Sequence, residues 1–246
     1  MKATTFFRLI VLLFFAITSL QALTIVSDTI AIIKHHVKDD KKTLIIFDID
    51  NTIAYAEGRA TDFWFSAMVS EGIKRGMPEL VAVKTVLPHY ITAHETTPVH
   101  PVEEHGPAFI RSLQAQNIPV IALTSRSLPM IEHTFRQLNS LSIDFSLTAP
   151  TKETLDFSLF EPARFANGIM FCGNNNKAHA LAALLEKTNF KPEKIIYADD
   201  KEKYLKLVDQ FAQSKNIEFV GIRASTLDQK VASFVLDEES KQLLAH

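Results

Sequence analysis

The chain has 246 residues, 47% of them hydrophobic and 22% charged, which suits one sizeable core with an insertion and excludes disordered and repeat classes. Its formal charge of −2 argues against a nucleic-acid groove, which wants a strongly positive face. The single cysteine, Cys172, excludes an internal disulfide.

Met1 to Arg8 precede an apolar run, Leu9 to Leu20, and then Gln21-Ala22, the order of a secretory signal peptide over 1–22 with cleavage near Ala22. The apolar run is shorter than the roughly 18 to 20 residues of a spanning helix, so the expectation is an exported protein, periplasmic or secreted, without a stable membrane span. Loss of Lys2 and Arg8 with the leader makes the remainder more acidic. Ser27 is a fitting N-cap for a helix with Ile30, Ile33 and Val37 on one face, ending in the charged run Lys38 to Lys42. His35 and His36 read as a solvated pair.

Residues 44–54 read Leu-Ile-Ile-Phe-Asp-Ile-Asp-Asn-Thr-Ile-Ala, a continuous apolar run that suits a strand buried on both faces of a parallel sheet. It ends in Asp48 and Asp50, two positions apart and therefore on the same side if the strand extends that far. At about 4 Å and an effective dielectric near 20 their repulsion is on the order of 4 kcal/mol. A cation, a shared proton or both must offset it. The alternative is a capping aspartate beside a turn aspartate.

The next comparable strand, Ile118 to Leu123, lies more than two βαβ units of roughly 30 residues further on, so something is inserted. Residues 58–76, with Phe63, Trp64, Phe65, Ala67 and Met68, read as one helix, and Pro78 to Leu87 as a second that Pro88 breaks. His89, His94, His100 and His105 follow at spacings that match no common metal-ligand pattern. The insert over 55–106 is expected to be a small helical cap over the sheet's carboxyl edge, with its aromatics, Tyr90 among them, forming a local core.

Pro107 opens a helix with Phe109, Ile110 and Leu113 facing in. The strand that follows ends in Thr124-Ser125-Arg126-Ser127, hydroxyls and a guanidinium that suit an oxyanion, with Ser127 as N-cap of a helix carrying Ile131, Phe135 and Leu138. Ile143 to Thr148 reads as a half-alternating strand, and 150–167 as a long irregular link. A strand over Gly168 to Cys172, with the cysteine buried in it, meets Gly173-Asn174-Asn175-Asn176 and a strong helix that places Lys177 in its first turn. The helix dipole disfavours a cation there by about 0.3 to 1 kcal/mol, and a bound anion reverses the sign. Lys194 to Ala198 forms a strand ending in Asp199-Asp200, then come a helix with Tyr204, Leu207, Val208 and Phe211, a last strand over Ile217 to Ile222, and a charged helical tail.

The implied fold is α/β, a doubly wound Rossmann-like parallel sheet built from 23–54 and 107–246, with the helical cap inserted after the first motif strand. In such a sheet the strand ends share one edge, the usual ligand crevice. Asp48, Asp50, Asp199 and Asp200 together would be strongly destabilising without a hard cation such as magnesium. Lys177 and a hydroxyl opposite then suit phosphate.

With these residues in this order, Asp48-Ile49-Asp50-Asn51-Thr52, Leu123-Thr124, Lys177 and Asp199-Asp200, the chain resembles the haloacid dehalogenase-like phosphatases, in a secreted bacterial branch of largely unassigned substrate. The resemblance implies a phosphoric monoester hydrolase. Asp48 would accept the phosphoryl group as an aspartyl-phosphate, and Asp50 would protonate the leaving oxygen and later take a proton from water, a role that wants a raised pKa. Thr124, Ser125 and Lys177 would hold the transferring phosphate. Mg2+ would rest on Asp48, the backbone carbonyl of Asp50, and Asp199 or Asp200. The substrate would be a phosphorylated small molecule or phosphoprotein. The alternatives are a catalytically weak binding protein that keeps the site as a phospho-ligand pocket, and a phosphotransferase. The presence of Asp50 argues against a dehalogenase.

Overall fold

The structure is a computed structural model, and it describes residues 23–37 and 42–244. The expected leader, 1–22, and most of the charged run after residue 37 lie outside the described residues.

Strand β1 (Leu23–Ser27) leads into a 3-10 helix (Ile30–His35), and β2 (Thr43–Phe47) follows. Next come β3 (Ala54–Ala56), α1 (Asp62–Lys74), α2 (Glu79–Thr96) and β4 (Val99–Pro101). The chain continues through α3 (Gly106–Ala115), β5 (Val120–Thr124), α4 (Ile131–Ser140), β6 (Leu155–Ser158), β7 (Pro162–Ala166) and β8 (Ile169–Phe171). It finishes with α5 (Lys177–Thr188), β9 (Lys194–Asp199), α6 (Glu202–Ser214), β10 (Glu218–Ala224), α7 (Asp228–Ala232) and α8 (Glu238–Gln242).

Among the described residues an eight-stranded sheet has the order β1-β10-β9-β2-β5-β8-β7-β6. Its first six strands run parallel, and β7 and β6 are antiparallel additions at one edge. The chain builds outward from β2 through β5 to β8, then returns through α5 to β9 on the other side of β2. That reversal opens the crevice between β2 and β9. This is the doubly wound Rossmann-like architecture expected from the sequence.

The unbroken apolar run of β2 has the physical cause proposed for it. Ile45 and Phe47 pack on one face with residues of α3 and α4, while Leu44 and Ile46 pack on the other with α5 and α6. With Leu44 to Phe47 fully buried, each contributes about 1.5–3 kcal/mol from leaving water.

Several local expectations are corrected. Ser27 ends β1 instead of capping a helix. The cap is Thr29, whose Oγ1 accepts from Ala31 N–H at 3.2 Å, and the helix is a 3-10 turn. The insert does contain two helices, but the second runs through Pro88 to Thr96. Pro88 lies on its exposed side, where one forfeited backbone bond is tolerable. Residues 143–148 form a 3-10 turn around Phe145 instead of a strand. The link over 150–167 contains the β6–β7 hairpin. Ser127 makes no side-chain cap, and α4 begins only after a short 3-10 turn at Leu128–Met130.

The insert has its own apolar cluster of Trp64, Met68, Val86 and Tyr90, completed by Met130 and by Leu244 from the tail. Trp64 Nε1 donates to Ser240 Oγ at 2.8 Å, so α8 closes one side of the insert. The tail, expected from sequence to be charged and helical, is helical and also serves as a structural wall.

Candidate active site

The loop after β2 reverses tightly. The Ile49 carbonyl accepts from the N–H groups of Thr52, Ile53 and Ala54 at 3.0 to 3.3 Å, and Asn51 takes a left-handed φ of 62°. Asparagine tolerates that conformation better than most residues with a side chain. The turn holds Asp48 and Asp50 at the carboxyl end of β2, with Asp48 still tied to the sheet through its N–H to the Ala198 carbonyl at 2.8 Å.

Lys177 reaches this end from the first turn of α5, where Asn176 caps the helix by accepting from the N–H groups of Ala178 and His179. Its ammonium donates to Asp48 Oδ1 at 2.7 Å, to Asp199 Oδ2 at 2.8 Å and to the Tyr197 hydroxyl at 3.1 Å. These three bonds use all its protons, and the Nζ also lies 4.3 Å from the Tyr204 ring centroid. The side chain is 1% exposed. Burial lowers its pKa, but Asp199 and Asp48 outweigh burial and hold it well above the ordinary lysine value.

Asp199 is saturated in the same way. The Tyr197 hydroxyl and Lys177 donate to its Oδ2, and Lys201 N–H donates to its Oδ1 at 2.7 Å. Asp200 is held mainly by its backbone, whose N–H donates to Thr52 Oγ1 at 3.0 Å. Among the described residues its carboxylate accepts only a long contact from Asn51 Nδ2 at 3.4 Å. Burial and the Asp199 charge push the Asp200 carboxyl up to about 7 against the pull of Lys201. Burial likewise pushes the Asp48 carboxyl well up, with Lys177 opposing and Asp199 adding to the rise.

Asp48, Asp199 and Asp200 each offer a carboxylate oxygen within 4.8 Å of the others. Three carboxylates face one ammonium, because Lys201 is engaged by Asp62 of the insert at 2.8 Å. Fully ionised, the form a cation would favour, the three carboxylates would carry two negative charges beyond the one that Lys177 offsets. Hard oxygens at this spacing with an excess of two charges fit a magnesium ion, whose coordination shell spans about 4 Å.

Asp50 does not join that cluster through its side chain. Arg126 grips it with a two-pronged contact, Nε to Oδ2 at 2.9 Å and Nη2 to Oδ1 at 2.8 Å. Burial alone would raise the Asp50 pKa, but the charge and hydrogen bonds of Arg126 dominate and hold the carboxyl below its usual range. The raised pKa expected for Asp50 is therefore corrected: the resting group is an ion. Arg126, read in the sequence as an oxyanion ligand, is turned inward as the partner of Asp50.

Thr124 is buried at the end of β5, next to β2 in the sheet, and its Oγ1 accepts from Arg126 N–H at 3.1 Å. Its own proton has no acceptor among the described residues. Ser125 is exposed, 3.2 Å from the Tyr204 hydroxyl. Cys172 is buried in the sheet, and its thiol is pushed up to about 12 by burial, which suits an inert core residue. Of the four insert histidines, only His94 is fully buried.

Sequence reasoning missed four supporting residues. Asn51 and Thr52 hold Asp200, Tyr197 holds Asp199, and Tyr204 lies over Lys177. Tyr197 stands two residues before Asp199 on one face of a strand, a signal that was available.

Among the described residues no helix is long and apolar enough to cross a membrane. A haloacid dehalogenase-like family hydrolase from Streptococcus pneumoniae superposes with a TM-score of 0.45 at 13% identity, covering 78% of this chain and 98% of that one. The chain is 28% identical over 185 residues to a Chlamydia pneumoniae protein described as a "Putative outer membrane protein", covering 75% of this chain and 70% of that one. A Chlamydia trachomatis protein of the same description is 27% identical over 186 residues, covering 75% and 69%. An uncharacterised Rickettsia prowazekii protein is 26% identical over 195 residues, covering 74% and 69%. A family model matches residues 25–244, and the chain belongs to that family, described as "Protein of unknown function (DUF2608)".

Proposed function

We propose that the protein is an exported magnesium-dependent phosphatase acting on phosphate monoesters. The observation that carries this reading is the ammonium of Lys177 shared between Asp48 and Asp199 beside the weakly held carboxylate of Asp200, at the crevice where the sheet reverses. Export is supported by the leader-like first residues and by relatives described as outer membrane proteins.

Asp48 Oδ1 is oriented by Lys177, which leaves Oδ2 for attack on phosphorus. A bond forms between that oxygen and phosphorus, and the ester oxygen departs with its bonding pair. Lys177 and the free proton of Thr124 stabilise the charge that builds on the transferring oxygens. Asp200 is the freer ligand for the metal and Asp199 the anchor of Lys177; Asp48 and the Asp50 backbone carbonyl would complete the protein's donor set. When bound, magnesium would neutralise the carboxylates and polarise the phosphoryl oxygens. In the second half, water attacks phosphorus, its proton passes to the ionised Asp50, and the bond to Asp48 breaks to release phosphate.

Asp50 held ionised by Arg126 is in the form that can take a proton, though as a weak base, and is a poor acid. Substrates whose leaving oxygen departs without a proton, such as aryl phosphates, are therefore expected to be turned over fastest. The purified chain should hydrolyse 4-nitrophenyl phosphate with Mg2+ and lose at least about 1,000-fold in Asp48→Asn, because the nucleophile is gone. Full activity in that variant would refute the assignment.

A further inference from the structure

The hydrogen bonds behind Asp50 run past Arg126 and out of the core. Arg126 is 3% exposed, and besides its two bonds to Asp50 its Nη1 donates to Thr134 Oγ1 at 3.0 Å and to Gln137 Oε1 at 2.8 Å, both on α4. Thr134 in turn donates to the Met130 carbonyl at 2.7 Å. The Gln137 carboxamide therefore presents its nitrogen to the insert. It donates to the Thr97 carbonyl at 3.2 Å and lies 3.0 Å from His94 Nδ1, at the end of α2. Arg136 adds a second tie, donating to the His94 carbonyl at 2.7 Å.

We propose that Gln137 is a positioning residue for the hydrolytic half of the reaction. It seats Arg126, Arg126 aims the Asp50 carboxylate at the attacking water, and the end of α2 holds Gln137 in place. The inference rests on the phosphatase reading and deepens it, since it makes dephosphorylation depend on how the insert is seated. The geometry supports aiming over simple cohesion. Four N–H contacts leave the guanidinium no alternative orientation, and a carboxylate held by a planar fork cannot rotate about its own axis. A buried ion pair without such orientation is weak evidence of a stabilising role. His94 is fully buried with Nε2 lacking a partner among the described residues, an arrangement that costs stability and is tolerated in this seam.

The test separates the two half-reactions. In Gln137→Leu, transfer from 4-nitrophenyl phosphate to Asp48 should persist, so kcat/KM stays within about twofold of the parent. Water attack should slow, so kcat and KM fall together by about tenfold or more, given that misplacement of about 1 Å costs on the order of 100-fold. Acid-quenched samples should then show accumulated aspartyl-phosphate and a burst of one nitrophenolate per enzyme. If Gln137→Leu does not fold, His94→Leu carries the same readouts from the insert side. A folded variant in which kcat/KM falls along with kcat, or in which no phosphoenzyme builds up, overturns the proposal. An unmodified protein that shows neither turnover nor phosphoenzyme overturns the phosphatase reading itself.

Discussion

Lys177 sits among Asp48, Asp199 and Tyr197, and its removal leaves two buried carboxylates facing one another. Lys177→Met should destabilise the protein by about 3–5 kcal/mol in denaturant titration, with part of the loss recovered on adding Mg2+. His94 gives a pH-dependent counterpart. Burial, reinforced by Arg126, lowers its pKa from 6.5 to about 4, so the fold favours the neutral ring. That contribution is complete above pH 6.5 and is lost as pH falls from there towards 4, a difference of about 3 kcal/mol. The Tm of the parent protein should accordingly fall relative to that of His94→Leu as pH drops through that window, and a difference constant with pH would contradict it. Asp48, Asp50, Lys177 and the Asp199-Asp200 pair were legible because each is a chemically conspicuous residue at an element's end. The support behind Arg126, the partner of Asp50, was not, because Gln137 and His94 stand 87 and 44 positions from Asp50 in the numbering and are linked to it only through Arg126 and the packing of α4 and α2.

At the level of elements, the apolar strands β2, β5 and β9 were read from unbroken hydrophobic runs, which both-sided burial requires. The β7–β8 hairpin was overlooked although Asn167-Gly168, with φ of 48° and 76°, is a strong two-residue hairpin signal. A Cβ at Gly168 would fall 2.3 Å from the Phe145 carbonyl oxygen, so Gly168→Ala should cost several kcal/mol where an ordinary loop glycine would cost little. The α2 helix shows the opposite error. Pro88 is a helix breaker by local rule, but packing of Val86, Tyr90 and His94 against the core outweighs the lost backbone bond. Tertiary context also decides the tail, whose short helices α7 and α8 would be marginal alone. Truncation after Ser233 removes Ser240 and Leu244 from the insert and should lower Tm while shifting the emission of Trp64, the only tryptophan, to the red.

For the whole molecule, the proposed metal site predicts that stability rises with cation supply. Mg2+ at 100 times its Kd should add about 2.7 kcal/mol of stability, and Asp200→Asn should reduce that increment while leaving the sheet intact. Calorimetry with and without chelator measures both. The bond between Trp64 and Ser240 spans 176 positions of sequence, so Trp64 gains this partner only after Ser240 has been synthesised. A nascent chain therefore lacks the α8 side of the Trp64 cluster until that late stage of translation.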